Sequence, residues 1–122
     1  MRFTQDSNTA THLIRAYRAG ELHINDDVYR ETVLVDASRV LTLPEVRDMN
    51  DLASIDPARI LALEPELVLL GSGPRQVFPA AAFGAQFLAA GVGFEAMDTG
   101  AASRTFNVLV AEHRRVVALL MV

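Results

Sequence analysis

The chain has 122 residues, of which 51% are hydrophobic and 21% charged, and a formal net charge of −4. That length suits one domain spanning residues 1–122 with an ordinary core, and the acidic balance argues against nucleic acid, whose phosphates demand a basic footprint. Cysteine is absent and all 11 residues counted as Lys or Arg are arginine, which removes disulfides, thiolate nucleophiles, Cys-ligated zinc, iron–sulfur clusters, lysine Schiff bases and the P-loop lysine.

The opening MRFTQDSNTA has neither the basic nor the apolar region of an export signal. No apolar run approaches the ~20 residues that span a bilayer. A cytoplasmic protein without membrane insertion is therefore expected. From Thr11 to about Leu43, short apolar runs broken at Ala19-Gly20 and Asn25-Asp26-Asp27 read as strands joined by turns, because Asn and Asp tolerate positive φ and bond their own backbone. This half is expected to be antiparallel. Glu45 to Ser54 is a polar connection with room for one helical turn. Asp56-Pro57 starts a short helix, a side-chain acceptor followed by a residue lacking the N–H that is not needed there, and Pro65 is expected to stop it.

Leu67 to Leu70 is continuously apolar, as in a strand covered on both faces. Phe83, Phe87 and Ala90 then recur at helical spacing, with Pro79 near the first turn and Gly91 past the end. Val92 to Met97 forms the next strand, so Leu67 to Met97 is a βαβ unit with parallel strands. Asp98 or Thr99 caps a helix whose apolar stripe is Ala102, Phe106, Leu109 and Val110. The final run, Val116 to Val122, is apolar enough for a central strand.

Two stretches carry the candidate chemistry. Gly71, Ser72, Gly73, Arg75, Gln76 and Phe78 leave a buried strand, the place where open α/β sheets hold ligands. The spacing matches neither the dinucleotide fingerprint nor the P-loop, so a tight turn competes with an anion cradle. Asp98, Thr99, Arg104 and Asn107 lie where the second strand leads into a helix. Parallel strands bring both loops to one edge of the sheet, where a helix N-terminus and Arg104 suit an anion. An Asp98–Arg104 ion pair, acting as a structural lock, is the competing reading.

Nothing assembles a catalytic set. Ser72 sits in Gly-Ser-Gly and not in a nucleophile elbow. His12, His23 and His113 have no metal-ligand spacing. Glu95 and Asp98 lack a companion that would make an acid–base pair. No catalytic residue, metal or cofactor is assigned.

The stretches LLGSGPRQVFP and GVGFEAMDTGAASRTFNVLVAEHRRVVALL resemble the Mth938-like family, also called DUF498, over Leu67 to Leu120. The shared pattern is Gly71, Gly73, Gln76, Phe78 and Pro79, then Asp98, Thr99, Arg104, Thr105 and Asn107. Ser103 stands where some members are expected to carry cysteine. The resemblance implies an α/β fold with a mixed central sheet, helices packed on it, an antiparallel N-terminal half and a C-terminal βαβ unit. It transfers no catalytic residues. Relatives include an assembly factor for mitochondrial respiratory complex I, so the resemblance implies a non-catalytic interaction or assembly factor of bacterial origin. Its partner would be a protein, within a respiratory or membrane-associated complex, and homo-oligomers are compatible with it. The alternative is a binder of small anions, or an enzyme, using the cleft between the two loops.

Overall fold

The computed structural model describes residues 11–122, so the reading of MRFTQDSNTA lies outside the described residues. Strands β1 (Ile14–Arg18), β2 (Glu21–Ile24) and β3 (Asp27–Tyr29) form an antiparallel sheet of their own. Its two turns follow from residues that accept the left-handed backbone, Gly20 at φ 86° and Asn25 at φ 52°. Asp27, expected in the second turn, instead opens β3.

The central sheet is mixed. It contains β4 (Val33–Val35), β5 (Val40–Thr42), β6 (Leu67–Gly71), β7 (Gly93–Met97) and β8 (Val116–Leu120), in the order β5-β4-β8-β6-β7. β8 runs antiparallel to β4 and parallel to β6, and β6 runs parallel to β7. All five residues of β8 are buried, as its unbroken apolar run requires of a central strand. The antiparallel half thus divides: β4 and β5 join the central sheet, while β1 to β3 stand apart from it.

Helix α1 (Pro57–Leu61) is capped by the Asp56 carboxylate, which accepts the Ala58 N–H at 2.9 Å. It ends four residues before Pro65; Glu64 takes a left-handed turn at φ 58°. A short 3₁₀ helix (Met49–Ser54) precedes it. Helix α2 (Ala81–Ala89) starts after Pro79, and no side chain caps it. Helix α3 (Thr99–Ala111) is capped by Asp98, whose carboxylate accepts the Ala101 N–H at 2.8 Å.

Alternation along the strands separates two cores. On one face Leu34, Val68, Leu70, Val117 and Leu119 meet Ile60 of α1 and Phe83 and Phe87 of α2. On the other, Val33, Val35, Leu69, Ala118 and Leu120 meet Ala102 and Phe106 of α3 together with Ile14, Leu22 and Ile24 of the small sheet. Leu109 and Val110, expected in the apolar stripe of α3, are half-buried at its margin. No helix among the described residues is long and apolar enough to cross a membrane.

Candidate functional site

Gly71 and Met97 are register partners in neighbouring parallel strands, so the loops that leave them emerge at one edge of the sheet. They meet there by direct bonding. The Thr99 N–H donates to the Gly73 carbonyl at 2.9 Å, and the Gly73 N–H donates to Thr99 Oγ1 at 2.8 Å. That hydroxyl donates in turn to the Met121 carbonyl at 2.6 Å. One fully buried side chain thereby joins the ends of β6, β8 and α3. Gly71 must be glycine for this approach, since a Cβ there would lie 2.8 Å from Thr99 Oγ1 and 3.0 Å from Thr99 Cα. Gly73 supplies the turn, at φ 97°.

Ser72 serves the same weld. Its N–H donates to the Met97 carbonyl at 2.9 Å, while its hydroxyl donates to the Arg75 carbonyl at 2.6 Å and accepts the Val77 N–H at 3.0 Å. Ser103 Oγ donates back to the Thr99 carbonyl at 2.8 Å. Asn107 lies further along α3, with its amide paired to both backbone groups of Ile14: Oδ1 accepts the N–H at 2.9 Å and Nδ2 donates to the carbonyl at 2.8 Å. It fastens the small sheet to the helix. These polar atoms of Ser72, Gly73, Thr99 and Asn107 are spent on the chain itself.

The charged candidates point outward. Arg75 and Gln76 are exposed, and the Gln76 amide donates to the Ala96 carbonyl at 3.3 Å on the outer side of β7. Arg104 is exposed. Among the described residues it forms no ion pair with Asp98. Arg104 and Asn107 border a small depression of about 200 Å³ with Arg15, Tyr17 and Gly100, against β1 and apart from the Gly-rich loop. The Tyr17 hydroxyl is buried, with no hydrogen-bond partner among the described residues. Burial, helped by the negative charge of Asp98, raises its pKa, so the phenol stays neutral at physiological pH. Nothing in the strand pattern singles Tyr17 out.

Phe78 is different in kind. The residue is 74% exposed, on a loop anchored by the Ser72 and Thr99 bonds, with Val77 beside it at 42% and Leu88 of α2 at 61%. A hollow of about 540 Å³ flanks it toward Met49, Leu52 and Phe83. A second hollow, of about 500 Å³, runs along α2 past Gly84 and Leu88 to Phe94. No ionisable side chain lines either hollow. The signal for this surface lies in the composition of α2, AAFGAQFLA, which holds one polar side chain, Gln86, and is apolar nearly all round.

The family described as "Protein of unknown function (DUF498/DUF598)" matches residues 14–121. The chain belongs to that DUF498/DUF598 family. Among its relatives, the "13 kDa major membrane protein" of Francisella tularensis subsp. holarctica is 29% identical over 125 residues, covering 99% of each chain. The solution structure of the Xanthomonas campestris protein XCC1710 superposes with a TM-score of 0.81 at 33% identity, over 100% of this chain and 92% of that one. A Bordetella pertussis protein described as a Mth938-like domain gives 0.75 at 30% identity, over 99% and 92%. The DUF498 chain thus has the Mth938-like α/β fold read from its two loop motifs, within a family whose function is unknown.

Proposed function

We propose that this DUF498 member is a bacterial, cytoplasmic, non-catalytic interaction module, one domain across residues 1–122, that docks through its Phe78 face onto a protein of a membrane-associated complex. The observation that carries the reading is a nearly bare aromatic side chain held on a welded loop between two uncharged hollows. Large exposed aromatics near the centre of an apolar patch are the usual anchors of protein interfaces. At the strand ends, where open α/β sheets hold ligands, the polar atoms of Thr99, Gly73 and Ser72 are bonded to the chain itself, which favours docking over small-molecule chemistry. Gln76 and Arg75 supply a polar rim beside the anchor.

The Francisella relative is named as a membrane protein, and a module bound to a membrane complex would fractionate with membranes without spanning them. The test is flotation of the purified protein with native membrane vesicles and with liposomes made from the lipids extracted from them. Binding to the native vesicles alone, abolished by Phe78→Asp and by prior proteolysis of the vesicles, is the expected result. Equal binding to the protein-free liposomes, or undiminished binding of Phe78→Asp, overturns the proposal.

A further inference from the structure

We propose that the depression between β1 and α3 binds a small phosphoryl group, as free phosphate or a phosphomonoester, through Arg15, Arg104, the Gly100 N–H and the Tyr17 hydroxyl. The site lies on the α3 side of the central sheet, whereas Phe78 borders hollows on the α2 side, so it is independent of the docking reading. A fault in the strand builds it. Between Ile14 and Ala16 the β1–β2 register slips by one residue, which leaves Arg15 without a cross-strand partner. Residues three apart face opposite ways in a regular strand. The slip instead turns both Ile14 and Tyr17 toward α3, as bulges beside functional sites re-aim side chains. Asn107 grips both backbone groups of Ile14 next to the slip and so fixes β1 against the helix.

The depression gathers donors that the chain does not use. Seven other arginines form ion pairs, but Arg15 and Arg104 have no carboxylate partner among the described residues. The Thr99 N–H donates to Gly73 and the Ala101 N–H to Asp98, while the Gly100 N–H between them has no partner among the described residues. The Tyr17 hydroxyl is buried and unpaired as well. Buried polar groups are nearly always satisfied, and an ion or ligand is one of the few explanations for an exception. Gly100 points the same way. Each of the other glycines has a local reason, a left-handed backbone at Gly20, Gly73 and Gly91, or a Cβ position under 3.0 Å from a neighbour at Gly71, Gly84 and Gly93. Gly100 has neither. A Cβ there would meet only side-chain atoms, Asp98 Oδ1 at 3.3 Å, Arg104 Nη1 at 3.5 Å and Tyr17 Cδ2 at 3.8 Å. The missing side chain keeps open the space between Arg104 and Tyr17, where a ligand can approach the backbone closely.

Charge and size select the ligand. No carboxylate lines the depression, although the chain as a whole stands at −4. Asp98, whose charge reaches Tyr17, is spent on the Ala101 N–H. Two guanidiniums match a dianion. A single guanidinium already satisfies both oxygens of a carboxylate in the bidentate fork, whereas a tetrahedral phosphoryl group has oxygens for donors arriving from β1 and from α3 together. The volume of about 200 Å³ falls below the roughly 300–1,000 Å³ of sites that enclose drug-sized ligands, so the site encloses the phosphoryl group and little of any ester attached to it.

Titration of the ¹⁵N-labelled full chain with inorganic phosphate, glycerol 3-phosphate and acetate, at constant ionic strength in chloride, tests this by amide chemical shifts. Inorganic phosphate is expected to give saturable shifts centred on Arg15, Gly100 and Arg104, and acetate much weaker ones. Arg15→Gln and Arg104→Gln are each expected to weaken binding by at least about 10-fold, as loss of a charge-assisted bond does. Gly100→Ala fills the space with a methyl group and is expected to do the same; Tyr17→Phe, which deletes only the unpaired hydroxyl, is expected to weaken binding while leaving the melting midpoint no lower. Unchanged circular dichroism confirms that the variants fold. Arg75→Gln, on the Gly-rich loop, is the control and is expected to bind like wild type. Glycerol 3-phosphate binding as tightly as phosphate assigns the site to monoesters, and binding of phosphate alone assigns it to the free ion. Shifts that fail to saturate, acetate matching phosphate, full affinity in Arg104→Gln or Gly100→Ala, or loss of binding in Arg75→Gln overturns the proposal.

Discussion

Thr99→Val removes one hydroxyl and keeps the shape of the side chain. Two groups at the weld then lose their partner, the Gly73 N–H and the Met121 carbonyl, at a position with no exposure to solvent. A buried polar group left unpaired costs about 1–3 kcal/mol, so the pair is expected to cost about 2–6 kcal/mol. With an unfolding entropy of about 2.1 cal/mol/K per residue over 122 residues, that loss lowers the melting midpoint by about 8–23 °C. Thr99→Ser is the matched control. It keeps the hydroxyl and loses a methyl, for about 1 kcal/mol and about 4 °C. Thermal melts and urea titrations of the three proteins decide the matter. If the Val variant melts within about 3 °C of wild type, or the Ser variant falls as far as Val, the hydroxyl is not what joins the strand ends.

Burial pushes the Asp36 carboxyl up, but the Arg39 side chain and the Ser38 and Arg39 N–H groups outweigh it, so its pKa lies below the ordinary carboxylate value. Because the unfolded chain then binds the proton more readily, this contribution is complete above about pH 4 and is lost as pH falls through the lower folded pKa. The stability gap between wild type and Asp36→Asn should accordingly narrow from pH 7 toward pH 2.5 in urea titrations; a gap that stays constant would show that the charge is irrelevant. Gly84→Ala would place a Cβ 2.6 Å from the Phe94 ring, which stacks on Phe87 at 5.7 Å. Overpacking of about 1–3 kcal/mol should exceed the roughly 0.5–1 kcal/mol that alanine gains in a helix, so calorimetry should find the variant less stable, and a rise in midpoint would contradict the packing.

Features governed by near neighbours along the chain are legible in the amino-acid sequence. Asp56 and Asp98 cap their helices because a side-chain acceptor needs only the N–H groups two or three residues on. The unbroken apolar run of Val116 to Leu120 marks a central strand for the same local reason. Features that depend on distant contacts are not legible there. Alternation identifies β1 to β3 as strands but says nothing of which sheet they join, or that Asn107, 93 residues from its partner Ile14, fastens them to α3. Glycines at 71 and 73 beside Asp98 and Thr99 look alike whether they cradle an anion or bond to each other. Only the closeness of Thr99 to Gly73 and Met121 distinguishes the two. Helix α1 stops short of Pro65 because the left-handed turn at Glu64 intervenes, and nothing in the side chain of a glutamate announces such a turn.

The order of the central strands bears on how the protein is made. β8 lies between β4 and β6 and bonds to both, while β4–β5 and β6–β7 share no pairing without it. During synthesis, then, the chain ahead of Val116 can pair only β4 with β5 and β6 with β7, each pair with an edge that the same segment completes. Closure of the sheet, and with it the Thr99 bond to Met121, must await that segment. A nascent chain with such edges is vulnerable to mispairing: the β4–β5 pair waits through translation of everything from α1 to α3, the β6–β7 pair only through that of α3.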